Sequence, residues 1–232
     1  MKVSVSDSYD GGNIEFVEHR SAESKVVLKI RPDPYTVLEK TNHLQYFSFR
    51  SCVAEPQTIE YVIENAGQTS YASAWEGSTV FTSTNLNDEN SWTRIKDTVY
   101  DKEKGVLSWT YKHDKAGSCC YFAYFPPYTY TRHLELIDKC SASERGSVMT
   151  LGKTLDGREM DCVTAGRGDK ICWIIHRQHP GENMAEFFAE GLLTRLLGLD
   201  SNGSVDGLVS RLLDMYTFYI VPNMCPDGAV RG

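Results

Sequence analysis

Up to about residue 128 the chain is written in short β-branched and aromatic runs set apart by turn residues, with no helical period sustained for a normal helix. Strands are therefore expected at residues 13–17, 25–30, 46–52, 58–63, 79–84, 92–100, 106–113 and 118–125. Between them stand the turn signals Asp10-Gly11-Gly12, Arg31-Pro32-Asp33-Pro34, Asn65-Ala66-Gly67 and Lys104-Gly105, at spacings that fit an antiparallel sandwich. In residues 92–100 the alternation is imperfect: Trp92, Arg94 and Lys96 oppose Ile95, Asp97 and Val99, which fits an edge strand or a bulge.

The pattern changes at Phe125-Pro126-Pro127-Tyr128, where two prolines stop any ladder. Residues 131–140 then carry helical spacing at Leu134, Leu136 and Ile137. Strands at 148–155 and 158–165 follow, joined through Asp156-Gly157 as a type I′ hairpin pair. The almost wholly apolar segment 170–176 reads as a central strand covered on both faces. A long helix is expected at 185–197, with Phe187, Phe188, Leu192, Leu193, Leu196 and Leu197 apolar and Gly198 ending it. A helix at 205–213, a buried strand at 218–221 and a turn-rich exit over 222–232 complete the alternation of an α/β sheet. The expected fold is thus α+β with two domains: an antiparallel β-sandwich over residues 1–125, then an α/β/α domain with a mixed sheet over 126–232.

Composition narrows the partners. Of 232 residues, 41% are hydrophobic and 24% charged, which fits an ordered domain rather than a disordered or fibrous chain. The net charge of −7 argues against a nucleic-acid groove or an anionic membrane as the main partner. Residues 1–12 lack the apolar core of a signal peptide, and no apolar run approaches the ~20 residues that cross a bilayer, so neither export nor a membrane span is expected. The seven cysteines, odd in number and without a CxxC pair, read as free thiols in a reducing cytoplasm rather than as disulfides or a zinc cage. The sequon Asn202-Gly203-Ser204 and the tripeptide Arg167-Gly168-Asp169 read as loop chemistry.

The stretch with chemical content is His176-Arg177-Gln178-His179-Pro180-Gly181-Glu182-Asn183, where the apolar strand hands over to the long helix. Open α/β sheets place ligands at the carboxyl ends of their strands. An imidazole and a carboxylate three residues apart, in a turn tightened by Pro180 and Gly181, can share a tetrahedral zinc, so His179 and Glu182 are the candidate metal pair. Two fixed residues are a weak pattern alone; its position and its company strengthen it.

That company is Tyr128-Thr129-Tyr130, Leu151-Gly152-Lys153-Thr154-Leu155-Asp156-Gly157-Arg158, His179-Pro180-Gly181-Glu182 and Val221-Pro222-Asn223-Met224-Cys225-Pro226-Asp227-Gly228. With Tyr46-Phe47-Ser48-Phe49-Arg50 and the run from Tyr121 to Tyr128, these pieces resemble the zinc metallocarboxypeptidases of the funnelin type, specifically the cytosolic carboxypeptidase subfamily that includes tubulin deglutamylases and bacterial relatives. The resemblance covers nearly the whole chain and departs from the usual pattern at Cys225, where the family carries Asn before Pro-Asp-Gly. It implies a His-Glu-His zinc site with water in the open position, the ligand set of carboxypeptidase A. It also implies a carboxylate base that shuttles the proton and an arginine that takes the substrate's terminal carboxylate. By the resemblance, the third ligand, the arginines and the catalytic Glu follow the Asp-Gly loop beyond Gly232, so the chain is expected to be a fragment or a product without its C-terminal part.

Plainer readings stand beside these. His176, at the end of the apolar strand, can be proposed as a third ligand but is expected to pack or hydrogen-bond. His179 and Glu182 have a surface turn with an acidic helix start as their ordinary explanation. Cys119 and Cys120 read as small residues on opposite strand faces, Cys225 as a buried thiol, and Trp75, Trp92 and Trp109 as core rather than a carbohydrate platform. Asp227-Gly228 reads as a turn. The expected function is a cytoplasmic zinc carboxypeptidase that removes C-terminal residues from peptides or protein tails. Its rival is a non-catalytic interaction module with an incomplete metal site. Glutamate-type substrates are implied by the resemblance alone, since a net charge of −7 gives no attraction for an acidic tail.

Overall fold

The computed structural model describes residues 2–33, 43–201 and 203–232; Pro34 of the expected Arg31–Pro34 turn and Asn202 of the sequon lie outside them. The chain divides into one unit of Met1–Pro127 with Arg231–Gly232 and a second of Tyr128–Val230.

The first unit holds β1 (Val3–Ser6), β2 (Glu15–Arg20), β3 (Lys25–Lys29), β4 (Ser48–Val53), β5 (Gln57–Ile63), β6 (Val80–Ser83), β7 (Thr93–Ile95), β8 (Val99–Asp101), β9 (Val106–His113) and β10 (Cys119–Ala123). They form two five-stranded sheets, ordered β1-β4-β10-β6-β7 and β2-β3-β5-β9-β8. Pairing is antiparallel except between β3 and β5. Alternate residues of both sheets bury one shared core, in which Phe49 and Phe122 from one sheet meet Tyr61 and Trp109 from the other. Burial of these large rings is the main stabilising term here.

Two expectations are corrected in this unit. Residues 92–100 are not one strand: β7 pairs with β6 in one sheet and β8 with β9 in the other. The chain changes sheets at Thr98, whose hydroxyl accepts from Val80 N–H at 3.0 Å and donates to the Ile95 carbonyl at 2.7 Å, and this crossing is why the alternation slips. The free-thiol reading also fails for one pair. Cys52 and Cys119 are register partners on β4 and β10, with Cα atoms 4.2 Å apart, and form a disulfide. The other five cysteines are free.

The second unit holds α1 (Tyr130–Ser141), β11 (Gly146–Lys153), β12 (Glu159–Ala165), β13 (Lys170–Ile175), α2 (Met184–Leu197), α3 (Gly207–Met215), β14 (Tyr216–Val221) and α4 (Pro226–Arg231). Thr129 caps α1 by accepting from Arg132 N–H, and Asp206 caps α3 by accepting from Leu208 and Val209 N–H. Gly198 closes α2 in the left-handed conformation, at φ 66°. The sheet runs β11-β12-β14-β13, antiparallel except for the parallel pair β13·β14, so it is mixed. Leu136, Leu193, Leu197 and Val209 of the helices bury one face of it with Val163 and Ile220.

The structure corrects three details of this unit. In the sheet of the described residues β13 stands at the end of the strand order rather than in its centre, and Cys172 and Ile174 turn toward the helices while Ile171, Trp173 and Ile175 are 59%, 55% and 45% exposed. The β11–β12 loop is not a two-residue type I′ turn: only Gly157 takes a positive φ (82°), and the Thr154 carbonyl accepts from its N–H at 3.0 Å. That is the longer type I turn with a left-handed glycine. The exit over 222–232 contains α4, with Asp227 in its first turn rather than in a loop.

Candidate metal centre

β13 ends at Ile175 and α2 begins at Met184, so the candidate pair sits in the strand-to-helix connection at the carboxyl end of the parallel pair β13·β14. The Glu182 N–H donates to the His179 carbonyl at 3.1 Å, closing a tight turn with Pro180 and Gly181 in its middle. Both His179 and Glu182 are exposed. Neither side chain has a hydrogen-bond or ion-pair partner among the described residues, so an imidazole and a carboxylate stand free at the two ends of one turn. That donor set suits zinc. Among the described residues no group of three His, Cys, Asp or Glu side chains is placed to hold a metal, so the pair supplies two donors and His176 is not brought in as a third.

His176 is instead buried, 7% exposed, with its ring against Phe188 at 5.6 Å and neither ring nitrogen hydrogen-bonded among the described residues. Burial holds its pKa below the ordinary histidine value, which keeps the ring neutral. Its backbone joins the two strand ends: His176 N–H donates to the Val221 carbonyl, and its own carbonyl accepts from Met224 N–H, both at 2.9 Å.

Beneath the turn lies a buried chain of alternating charge. Arg177, 4% exposed, donates to the Pro180 carbonyl at 3.0 Å, to the Tyr128 carbonyl and Glu186 Oε2 at 2.7 Å each, and to Asn183 Oδ1. Glu186, with no exposed surface, also accepts from Asn223 Nδ2 at 3.1 Å and meets His133 Nδ1 at 2.7 Å. His133 Nε2 reaches Asp161 Oδ2 at 3.1 Å, so the order is Arg177, Glu186, His133, Asp161. Such a group is tolerated inside a protein because every charge faces an opposite one.

A second set of contacts holds the turn from the side. Asp227 accepts from Thr154 Oγ1 and Arg158 Nη1 at 2.8 Å and from Asp156 N–H at 3.1 Å, which fastens α4 to the β11–β12 loop. The next residue touches the turn itself: a Cβ on Gly228 would lie 2.4 Å from Pro180 Cγ. Motif pieces separated along the sequence are thus joined in series, the 151–158 segment to Asp227 and the following Gly228 to Pro180.

Burial by itself would lower the His133 pKa, but hydrogen bonds to Asp161 and Glu186 outweigh it and push the group up to about 9. A folded pKa above the unfolded ~6.5 gives stability that is fully present below ~6.5 and is lost as pH rises through about 9. Stability of the second unit against denaturant is therefore expected to fall between pH ~6.5 and ~9, by up to about 3 kcal/mol, and His133→Gln is expected to flatten that slope. An unchanged slope in the variant would assign it to other groups.

Sequence reasoning passes over Arg177, Glu186, His133, Asp161 and Asn223. Glu186 alone leaves a signal. It shares the buried face of α2 with Ala189, Leu193 and Leu196, at helical spacing, while Phe188, expected on the apolar face, is 65% exposed. A carboxylate at a core position needs a buried partner, and the partners come from segments up to 53 residues away.

The family model described as cytosolic carboxypeptidase N-terminal domain matches residues 5–125, and the one described as zinc carboxypeptidase matches residues 133–232. An uncharacterized protein of Zymomonas mobilis is 37% identical over 232 residues, which is 100% of this chain and 56% of that protein. Cytosolic carboxypeptidase 3 of Bos taurus is 26% identical over 254 residues, covering 97% of this chain and 24% of that protein. Among solved structures, a metallo-carboxypeptidase from Burkholderia cenocepacia superimposes with a TM-score of 0.86 at 35% identity, covering 100% of this chain and 58% of that one. A metallo-carboxypeptidase from Pseudomonas aeruginosa, in complex with (2-guanidinoethylmercapto)succinic acid, gives 0.83 at 31% identity, covering 98% and 56%. The chain thus spans a little over half of these bacterial relatives.

Proposed function

Because the chain belongs to the cytosolic carboxypeptidase family of zinc carboxypeptidases, we propose that it contributes the two-ligand turn of a zinc metallocarboxypeptidase acting on the C-terminal ends of peptides or protein tails. His179 and Glu182 are the two ligands. The observation that carries this reading is their freedom from every described partner on a turn whose underside is fixed by buried charge. The two domains are taken as 1–125 and 126–232, the first a β-sandwich, and the names of the mammalian relatives support a cytoplasmic location.

Zinc, when bound, supplies a Lewis acid that polarises the scissile carbonyl and activates water. The chain's own part is to hold the metal. The His179 imidazole gives a neutral nitrogen donor and the Glu182 carboxylate an anionic oxygen donor, and the closed turn fixes the backbone that carries both, so that the ordering left for binding is that of the two side chains. No described ion pair competes for the Glu182 carboxylate.

The test is hydrolysis. The full-length protein is expected to release the C-terminal residue from model peptides, to stop in a zinc chelator and to recover with added zinc. A full-length protein that binds zinc but leaves every tested peptide intact would favour the interaction-module reading.

A further inference from the structure

Arg177 carries the second non-glycine positive φ of the described residues, 48°, in the connection that presents His179 and Glu182. The left-handed conformation is strained for an arginine, and persists only where its surroundings impose it. Here four acceptors impose it: the carbonyls of Pro180 and Tyr128 and the side chains of Asn183 and Glu186. Pro180 is the residue after His179, and Asn183 is the residue after Glu182. One buried guanidinium therefore grips the chain at the residue that follows each candidate ligand while touching neither side chain. Asn183, at the start of α2, makes no capping bond with its side chain; its oxygen faces Arg177 instead.

We propose that Arg177 is a positioning residue for the metal turn, with Glu186 as its buried counter-charge, so that the spacing of the His179 and Glu182 donors is set from below by one guanidinium. This inference rests on the ligand reading above. The guanidinium suits the task because its planar fork offers five donors in fixed directions, whereas an ammonium in the same place is a point charge on a flexible stem. Arg177→Lys therefore keeps the charge opposite Glu186 and loses the geometry.

The experiment compares Arg177→Lys, Asn183→Ala and His179→Ala with the wild type in the full-length protein. Zinc affinity is read by competition with a chromophoric chelator. The visible spectrum of the cobalt-substituted protein reports ligand geometry, and apo-protein thermal unfolding reports fold. Outer groups that orient metal ligands typically contribute 10- to 100-fold in affinity. Arg177→Lys is expected to bind zinc about 10- to 100-fold more weakly, with a shifted cobalt spectrum and a cooperative apo unfolding transition. His179→Ala is expected to lose the cobalt spectrum altogether. If Arg177→Lys binds zinc as the wild type does, with the same cobalt spectrum, while His179→Ala loses it, the positioning role is overturned and the ligand reading stands. If His179→Ala keeps wild-type affinity, the ligand reading itself falls. Should Arg177→Lys not fold, Asn183→Ala decides: it removes one of the four acceptors, and a folded variant with unchanged affinity and spectrum overturns the proposal.

Discussion

Glu186→Ala is expected to destabilise the second unit by about 3 to 5 kcal/mol, because the loss of one partner from a buried charge group leaves the others uncompensated. Glu186 has no exposed surface and joins Arg177, Asn223 and His133. Without it, a guanidinium that is 4% exposed and a histidine that is 2% exposed face each other's charge with Asp161 as the remaining anion. Glu186→Gln keeps a carbonyl for Arg177 but not the charge, and is expected to cost less. Trp173 is the one tryptophan of this unit, so its fluorescence follows the transition. A Glu186→Ala midpoint equal to the wild type would mean that these charges are solvated and that the buried chain does not set the turn.

The largest effect expected in the first unit is that of Trp109→Ala, about 3 to 5 kcal/mol. Trp109 is 2% exposed and packs its ring on Tyr61 at 5.6 Å, Phe47 at 6.0 Å and Phe122 at 5.6 Å, between the two sheets. Its indole nitrogen has no hydrogen-bond partner among the described residues, so the cost is one of packing and cavity rather than of a lost polar contact. Trp109→Phe, which refills much of the space, is expected to recover most of the loss. Far-UV circular dichroism in denaturant measures both, and a Trp109→Ala protein within ~1 kcal/mol of the wild type would contradict a single shared core.

These two residues also mark what can and cannot be read from the chain. Trp109 lies in a strand whose alternation is plain, and Val106–His113 is expected and found with the same limits. Patterns of that kind depend on neighbours along the chain, and so survive in the sequence. Glu186 shows the opposite case. Its helix is legible, with Gly198 closing it as expected, but its role depends on Arg177, Asn223, His133 and Asp161, brought together only by folding. Likewise β13 reads as covered on both faces because its residues are apolar on both, and its composition does not say that the helices of this chain cover only the face of Cys172 and Ile174. Cys52 and Cys119 lie 67 residues apart and become neighbours only through the register of β4 and β10. The candidate metal pair is legible for a different reason. His179 and Glu182 share one short turn, so their proximity is local, and two motif positions are found beside it, Gly228 against Pro180 and Tyr128 through its bond to Arg177.

Whether His179 and Glu182 hold zinc is decided most directly by zinc content per chain in the purified full-length protein and in its His179→Ala variant, with the variant shown to be folded. About one zinc per wild-type chain, falling to near none in the variant, is the expected result. An equal zinc content in the two proteins would contradict the assignment, and so would a folded wild-type protein that takes up no zinc when it is supplied in excess.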